Sequence, residues 1–137
     1  VDAQLTKTIR LHAILSPIAD PGTVISLRIH RPQILSLAEL VLNETLTTSQ
    51  KSFLIKMINE NKSFVICGGT GSGKTTLLNS LLSSCDKYQR ILIIEDSREL
   101  NPQHPHVVSL EGRPANIEGM GLITMKDLIV IELVKLL

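Results

Sequence analysis

A chain of 137 residues, 43% hydrophobic and 20% charged, has the apolar content for one buried core and too little length for two domains of ordinary size, which excludes a disordered protein. Fourteen Lys and Arg stand against thirteen Asp and Glu, and aromatic residues make up 2%, so neither a strong basic field nor a base-stacking surface is available and nucleic acid is not expected as a partner. Cys67 and Cys85 form no C-x-x-C pair or metal-ligand cluster, no apolar run approaches the ~20 residues of a membrane span, and no signal peptide is visible. A reduced, cytoplasmic chain is expected, and the start at Val1 without methionine points to a fragment.

In chain order, Arg10 to Leu15 and Val24 to Arg31 read as two strands of a hairpin, with Asp20-Pro21-Gly22 as turn signal. In the second strand Ile25, Leu27 and Ile29 alternate with Ser26, Arg28 and His30, which places Arg28 on a polar face, while Arg31 points the other way beside Pro32. Two capping-box patterns follow, Ser36 with Glu39 and Thr47 with Gln50, and the second helix is expected to run to about Glu60 with Leu54, Met57 and Ile58 on its inner face. Ser63 to Cys67 reads as a buried strand of a parallel sheet, Thr75 to Ser84 as a helix, Ile91 to Ile94 as a second strand and Val107 to Leu110 as a third. Strand, helix, strand implies a right-handed parallel crossover. Glu111 to Gly121 reads as a loop, after which Thr124 and Asp127 cap a last helix that is apolar nearly all round and therefore needs cover.

Between the first buried strand and its helix, Gly68-Gly69-Thr70-Gly71-Ser72-Gly73-Lys74-Thr75 fits G-x-x-x-x-G-K-[ST] in the strand-to-helix context that this phosphate loop requires. Glycines let backbone N–H groups converge on anionic oxygens, and the following helix aims its positive end at the same place. Lys74 supplies charge for the β- and γ-phosphates, and the Thr75 hydroxyl is the expected magnesium ligand, so ATP with Mg2+ is the expected ligand pair. The competing reading is a glycine-rich turn that happens to carry Lys-Thr, which the flanking strand and helix argue against.

Glu95 falls at the carboxyl end of the strand after the loop helix, the edge of an open parallel sheet where ligands bind, and a carboxylate there orients the attacking water. An ordinary acidic residue opening a loop is the alternative, and for Asp96 the two readings stay open. Ser97 to Glu99 reads as solvated loop. His104 and His106 lack a further ligand for a metal, and both cysteines read as small buried residues rather than reactive thiols.

These residues together resemble the secretion ATPases of type II and type IV systems, closest to the pilus-assembly ATPase of tight-adherence (Tad/Flp) systems. The resemblance covers nearly the whole chain: Ile25-Ser26-Leu27-Arg28, Gly68 through Thr75 with Thr76, Ile94-Glu95-Asp96 with Glu99-Leu100, His104 through Val108, Arg113-Pro114, Glu118-Gly119, Thr124 and Lys126-Asp127-Leu128. It implies an α/β fold: a partial RecA-like P-loop NTPase core with a parallel sheet (residues 36–137), preceded by a β-hairpin remnant of an N-terminal domain (1–35). It implies further a cytoplasmic homo-hexamer at the inner face of the cell membrane, docked on platform proteins of a secretion or pilus machine. Glu95 matches that family's catalytic glutamate, Arg28 an arginine that reaches the phosphates, and Thr76 closes the matched nucleotide-binding loop. Arg31 lies near a second basic position, and Arg113 falls in a motif with no physical role assigned. The chain stops at Val134-Lys135-Leu136-Leu137, before the segment where the family carries its Walker B strand. Two functions follow as expectations: an ATPase motor subunit seen as a fragment, or a nucleotide-binding assembly module that does not hydrolyse. A small P-loop kinase would need an acceptor site and an arginine-rich lid, and neither is visible after Thr75.

Overall fold

Alternating apolar and polar residues near the start of the chain build a three-stranded antiparallel sheet. The computed structural model describes residues 1–6, 9–29, 35–116 and 119–134. Within them the order is β1 (Asp2–Thr6), β2 (Ile9–Ile14), β3 (Val24–Ile29), α1 (Leu37–Leu42), α2 (Thr48–Asn59), α3 (Lys74–Leu82), β4 (Ile91–Glu95), β5 (Val107–Glu111) and α4 (Met125–Val134). The chain divides into two compact units, Val1–Gln33 and Ile34–Leu137.

In the first unit β2 and β3 form the expected hairpin, with Ile9 opposite Ile29, Leu11 opposite Leu27 and Ala13 opposite Ile25. These pairs share one face, because residues opposite one another in an antiparallel ladder point the same way. Strand β1 adds to the other edge of β2, an element that the sequence reading missed. Its five residues, Asp-Ala-Gln-Leu-Thr, are too short and too polar to announce a strand, and pairing with β2 is what makes them one. Asp2 receives His12 Nδ1 at 2.8 Å, which holds the Asp2 carboxyl below its ordinary range. Arg28 stands on β3 directly opposite Arg10. The sequence readings of His30, Arg31 and Pro32 lie outside the described residues, as do those of Glu118 and Lys135 to Leu137.

In the second unit both expected capping boxes close. The Ser36 hydroxyl accepts from Glu39 N while Glu39 Oε2 accepts from Ser36 N, and Thr47 and Gln50 make the same exchange. Each cap is worth about 1 kcal/mol of helix stability. The Ser36 bonds also draw the Glu39 carboxyl below its usual range. Helices α1, α2 and α3 close on a core centred on Leu37, Leu40 and Leu81, with the inner residues of α2, Leu54 and Ile58, packed against it.

Strands β4 and β5 pair in parallel, Ile91 with Val107 through Glu95 with Glu111. Their connection, residues 96–106, contains no helix and is laid along α3: Asn79 Oδ1 accepts from Asn101 N, Ser83 Oγ from Gln103 N, and His104 Nε2 lies 2.9 Å from the Asp86 carbonyl. His104 Nδ1 accepts from His106 N, so the Nε2 carries the ring proton and donates to that carbonyl. Ser63 to Cys67 departs from expectation. The run joins no strand among the described residues, and only Ile66 is partly buried, packed on the α1–α3 core. The crossover expected through α3 therefore does not form a strand pair. Apolarity encodes the wish to be buried, whereas a strand needs a neighbour to accept its N–H and C=O groups.

One consequence is that Cys67 is exposed rather than buried, while Cys85 is half-buried and its thiol is pushed up by that burial. Iodoacetamide at neutral pH is expected to label Cys67 at least ~10-fold faster than Cys85, because Cys67 is exposed whereas burial both shields Cys85 and lowers its thiolate fraction. Peptide mass mapping reads the ratio, and equal rates would contradict this placement.

Helix α4 opens on Thr124, whose hydroxyl accepts from Asp127 N; the same hydroxyl donates to Asp127 Oδ2, which also accepts from Thr124 N, and these two bonds to the carboxylate keep it below its ordinary range. It lies against β4 and β5. Leu128 is buried, whereas Ile129, Val130 and Ile131 are 46–50% exposed, so the apolar surround read from the sequence is half uncovered within this unit. Unforeseen was Glu132, 3% exposed, whose two oxygens receive Arg90 Nη2 at 3.1 and 3.3 Å. Arg90 immediately precedes β4, so this pair fastens α4 to the sheet. Arg90→Ala is expected to lower stability by about 1–3 kcal/mol, less than the ~3–5 of a fully buried broken pair because the guanidinium is partly solvated. Urea denaturation reads this, and an unchanged midpoint would remove the pair from the account of α4. No helix among the described residues is long and apolar enough to cross a membrane.

Candidate functional site

Residues 68–73 follow the run from Ser63 to Cys67 and are exposed, and α3 begins at Lys74. Two glycines carry the turn in left-handed geometry, Gly71 at φ +75° and Gly73 at φ +87°. Other residues adopt such angles at a cost. Gly73 is also the N-cap of α3, and no side chain caps the helix there. The first N–H groups of α3 therefore remain available to an anion, at the positive end of the helix dipole. Gly68 is needed for a different reason: a Cβ there would stand 2.6 Å from Ser72 Oγ.

Lys74 folds back over the loop, its Nζ donating to the carbonyls of Gly68 at 2.9 Å and Gly69 at 2.5 Å. The ammonium is thus held at the mouth of the loop by neutral acceptors, which an anionic oxygen outcompetes. Thr75 Oγ1 donates to Glu99 Oε2 at 3.3 Å. Glu95 is half-buried at the end of β4, and its Oε1 accepts from Glu99 N and Leu100 N, both at 3.0 Å. One carboxylate, Glu95, therefore shapes the turn that delivers a second, Glu99, to the Thr75 hydroxyl.

Thr75 at the start of α3 and Glu95 at the end of β4 are thereby linked through Glu99, and Gly68, Gly69, Thr70, Gly71, Ser72 and Gly73 form the loop that leads into Lys74. Thr76 is exposed on the first turn of α3, and Asp96 is exposed beyond β4. Arg28 belongs to the first unit. Glu99 is the residue that the sequence reading missed. It had been placed in solvated loop, and its signal is spacing alone: four residues past Glu95, within reach only because the turn closes on the Glu95 carboxylate.

Arg113 has a local task. Its backbone pairs with Ile123 in both directions and its Nε donates to the Gly121 carbonyl at 2.8 Å, closing the loop from 113 to 123. Among the described residues no group of three or more His, Cys, Asp and Glu is placed to hold a metal ion. The hydroxyl of Thr75 beside the Glu99 carboxylate is nevertheless a donor set of hard oxygens that suits magnesium, which keeps several waters and takes few protein ligands.

The chain is similar to several known proteins. A putative conjugal transfer protein of Mycobacterium tuberculosis (strain H37Rv) is 41% identical over 135 residues, covering 94% of this chain and 38% of the relative. The type IV secretion system protein PtlH of Bordetella pertussis is 35% identical over 130 residues, covering 77% of this chain and 38% of PtlH. A crystal structure of the VirB11 ATPase from the Brucella suis type IV secretion system in complex with sulphate aligns at a TM-score of 0.42 and 25% identity, over 81% of this chain and 42% of that one. This chain thus spans about 38% of the length of the M. tuberculosis relative. With the family profile described as "Type II/IV secretion system protein" matching residues 1–130, the chain belongs to that family.

Proposed function

We propose that this chain is the nucleotide-binding part of an ATP-driven motor subunit that powers pilus assembly or protein secretion. The observation that carries the reading is the loop itself: left-handed Gly71 and Gly73, an uncapped α3 N-terminus and Lys74 held over the opening, all within a chain of the type II/IV secretion family. Lys74 would neutralise the β- and γ-phosphates, with the backbone of Gly68 to Thr76 wrapped around them. Thr75, with Glu99 beside it, would hold magnesium, which supplies charge neutralisation on the phosphates. Glu95 would orient water from the end of β4, and Arg28 would bring a cation from the first unit.

In this reading residues 1–35 are part of an N-terminal domain, and residues 36–137 are part of a RecA-like P-loop domain. The resemblance to Tad/Flp pilus ATPases, a homo-hexameric state, platform proteins at the cytoplasmic face of a membrane and a cytoplasmic location complete the proposal.

That Ser63 to Cys67 joins no strand among the described residues favours a second reading, a nucleotide-binding assembly module without turnover, because a phosphate loop entered from such a segment is less firmly held. Calorimetry with ATP and magnesium, followed by a single-turnover assay, separates the two. Binding with hydrolysis supports the motor and binding without it supports the module. A chain that binds no triphosphate overturns both.

A further inference from the structure

Ser80 is completely buried on α3, next to Leu81 in a leucine-lined interior. A hydroxyl in such a place costs free energy unless it is hydrogen-bonded, and alanine would fill the space without that cost. Two carbonyls meet it. That of Thr76, one turn back in α3, lies at 2.8 Å, and that of Leu35, 45 residues upstream, at 2.5 Å. The hydroxyl has one proton to give. That proton is shared between the first turn after Lys74 and Thr75 and the residue just before Ser36, the N-cap of α1. Leu35 itself packs on the core of Leu37, Leu40 and Leu81.

We propose that Ser80 is a positioning residue that couples the phosphate end of α3 to Leu35, the first described residue after the passage between the two units. The coupling rests on the nucleotide reading above; the tie to Leu35 does not. Phosphate bound at the N-terminus of α3 draws its first turn taut and strengthens the backbone bond by which the Thr76 carbonyl is already satisfied within the helix. The Ser80 proton then shifts toward Leu35, and the entry to the second unit is held more firmly.

Amide hydrogen exchange read by mass spectrometry on the whole chain tests both parts. Without nucleotide, Ser80→Ala speeds exchange of the Leu35–Leu42 peptide by about fivefold, the equilibrium equivalent of one lost hydrogen bond. Ser80→Cys, similar in size but a weaker donor, falls between Ser and Ala. With ATP and magnesium at concentrations that saturate each protein, exchange of Leu35–Leu42 slows in the parent and not in Ser80→Ala. Equal exchange of parent and Ser80→Ala without nucleotide overturns the tie. Nucleotide-dependent slowing that survives in Ser80→Ala overturns the coupling. A parent chain that binds no nucleotide overturns the proposed function and the coupling together, and the nucleotide-free comparison still decides the tie.

Discussion

Lys74→Ala lowers affinity for ATP with magnesium by about 100-fold. Hydrogen bonds to charged groups are each worth about 1.5–3 kcal/mol net, so loss of one phosphate contact amounts to roughly 10- to 200-fold in dissociation constant. The structure adds a second contribution. The same ammonium ties the Gly68 and Gly69 carbonyls together, so its removal also loosens the loop that presents backbone N–H groups to the phosphates. Lys74→Arg should not restore binding, because a planar fork cannot take the place of a point charge folded over two carbonyls. The loop is exposed, and the thermal midpoint of Lys74→Ala without nucleotide should match that of the parent. Calorimetry provides the comparison, and equal ATP affinity in mutant and parent would remove Lys74 from the site.

In a protein spanning the full length of the relatives, Glu95→Gln keeps ATP binding and loses turnover by at least ~100-fold, the scale of a lost general base or water-orienting group. Glutamine is the informative substitution. Its amide oxygen still accepts from Glu99 N and Leu100 N, so the turn that delivers Glu99 to Thr75 survives while the negative charge is lost. Glu95→Ala would break that turn and confuse a chemical effect with a structural one. Steady-state hydrolysis with saturating ATP reads the result. If Glu95→Gln turns over at the parental rate while Glu99→Gln does not, the chemistry belongs to Glu99, and Glu95 only shapes the turn.

Much of this was written locally. The capping boxes at Ser36 and Thr47, the Thr124 to Asp127 cap and the loop from Gly68 to Thr75 each depend on residues within a few positions of one another. Side-chain length and backbone preference decide them, so spacing in the chain is spacing in space. Other features needed partners far away in sequence. Strand β1 exists through its ladder with β2, and Glu132 is buried because Arg90, 42 residues upstream, meets it. Ser80 is a core residue because the Leu35 carbonyl arrives from 45 residues away.

Ser63 to Cys67 marks the boundary between the two kinds of information. Its apolar pattern was legible as a wish for burial, yet strand state is a property of a pair, and no composition specifies the neighbour. Glu99 stands on the same boundary. Its charge was plain in the sequence, but its place at the Thr75 hydroxyl follows from a turn closed by two hydrogen bonds to Glu95. Residue identity and short-range spacing therefore determined the phosphate loop and the helix caps, because their bonds span a few residues of a stiff backbone. Folding in three dimensions decided which carboxylates, hydroxyls and strands would meet, because those contacts exist only after distant segments have been brought together at a cost in chain entropy.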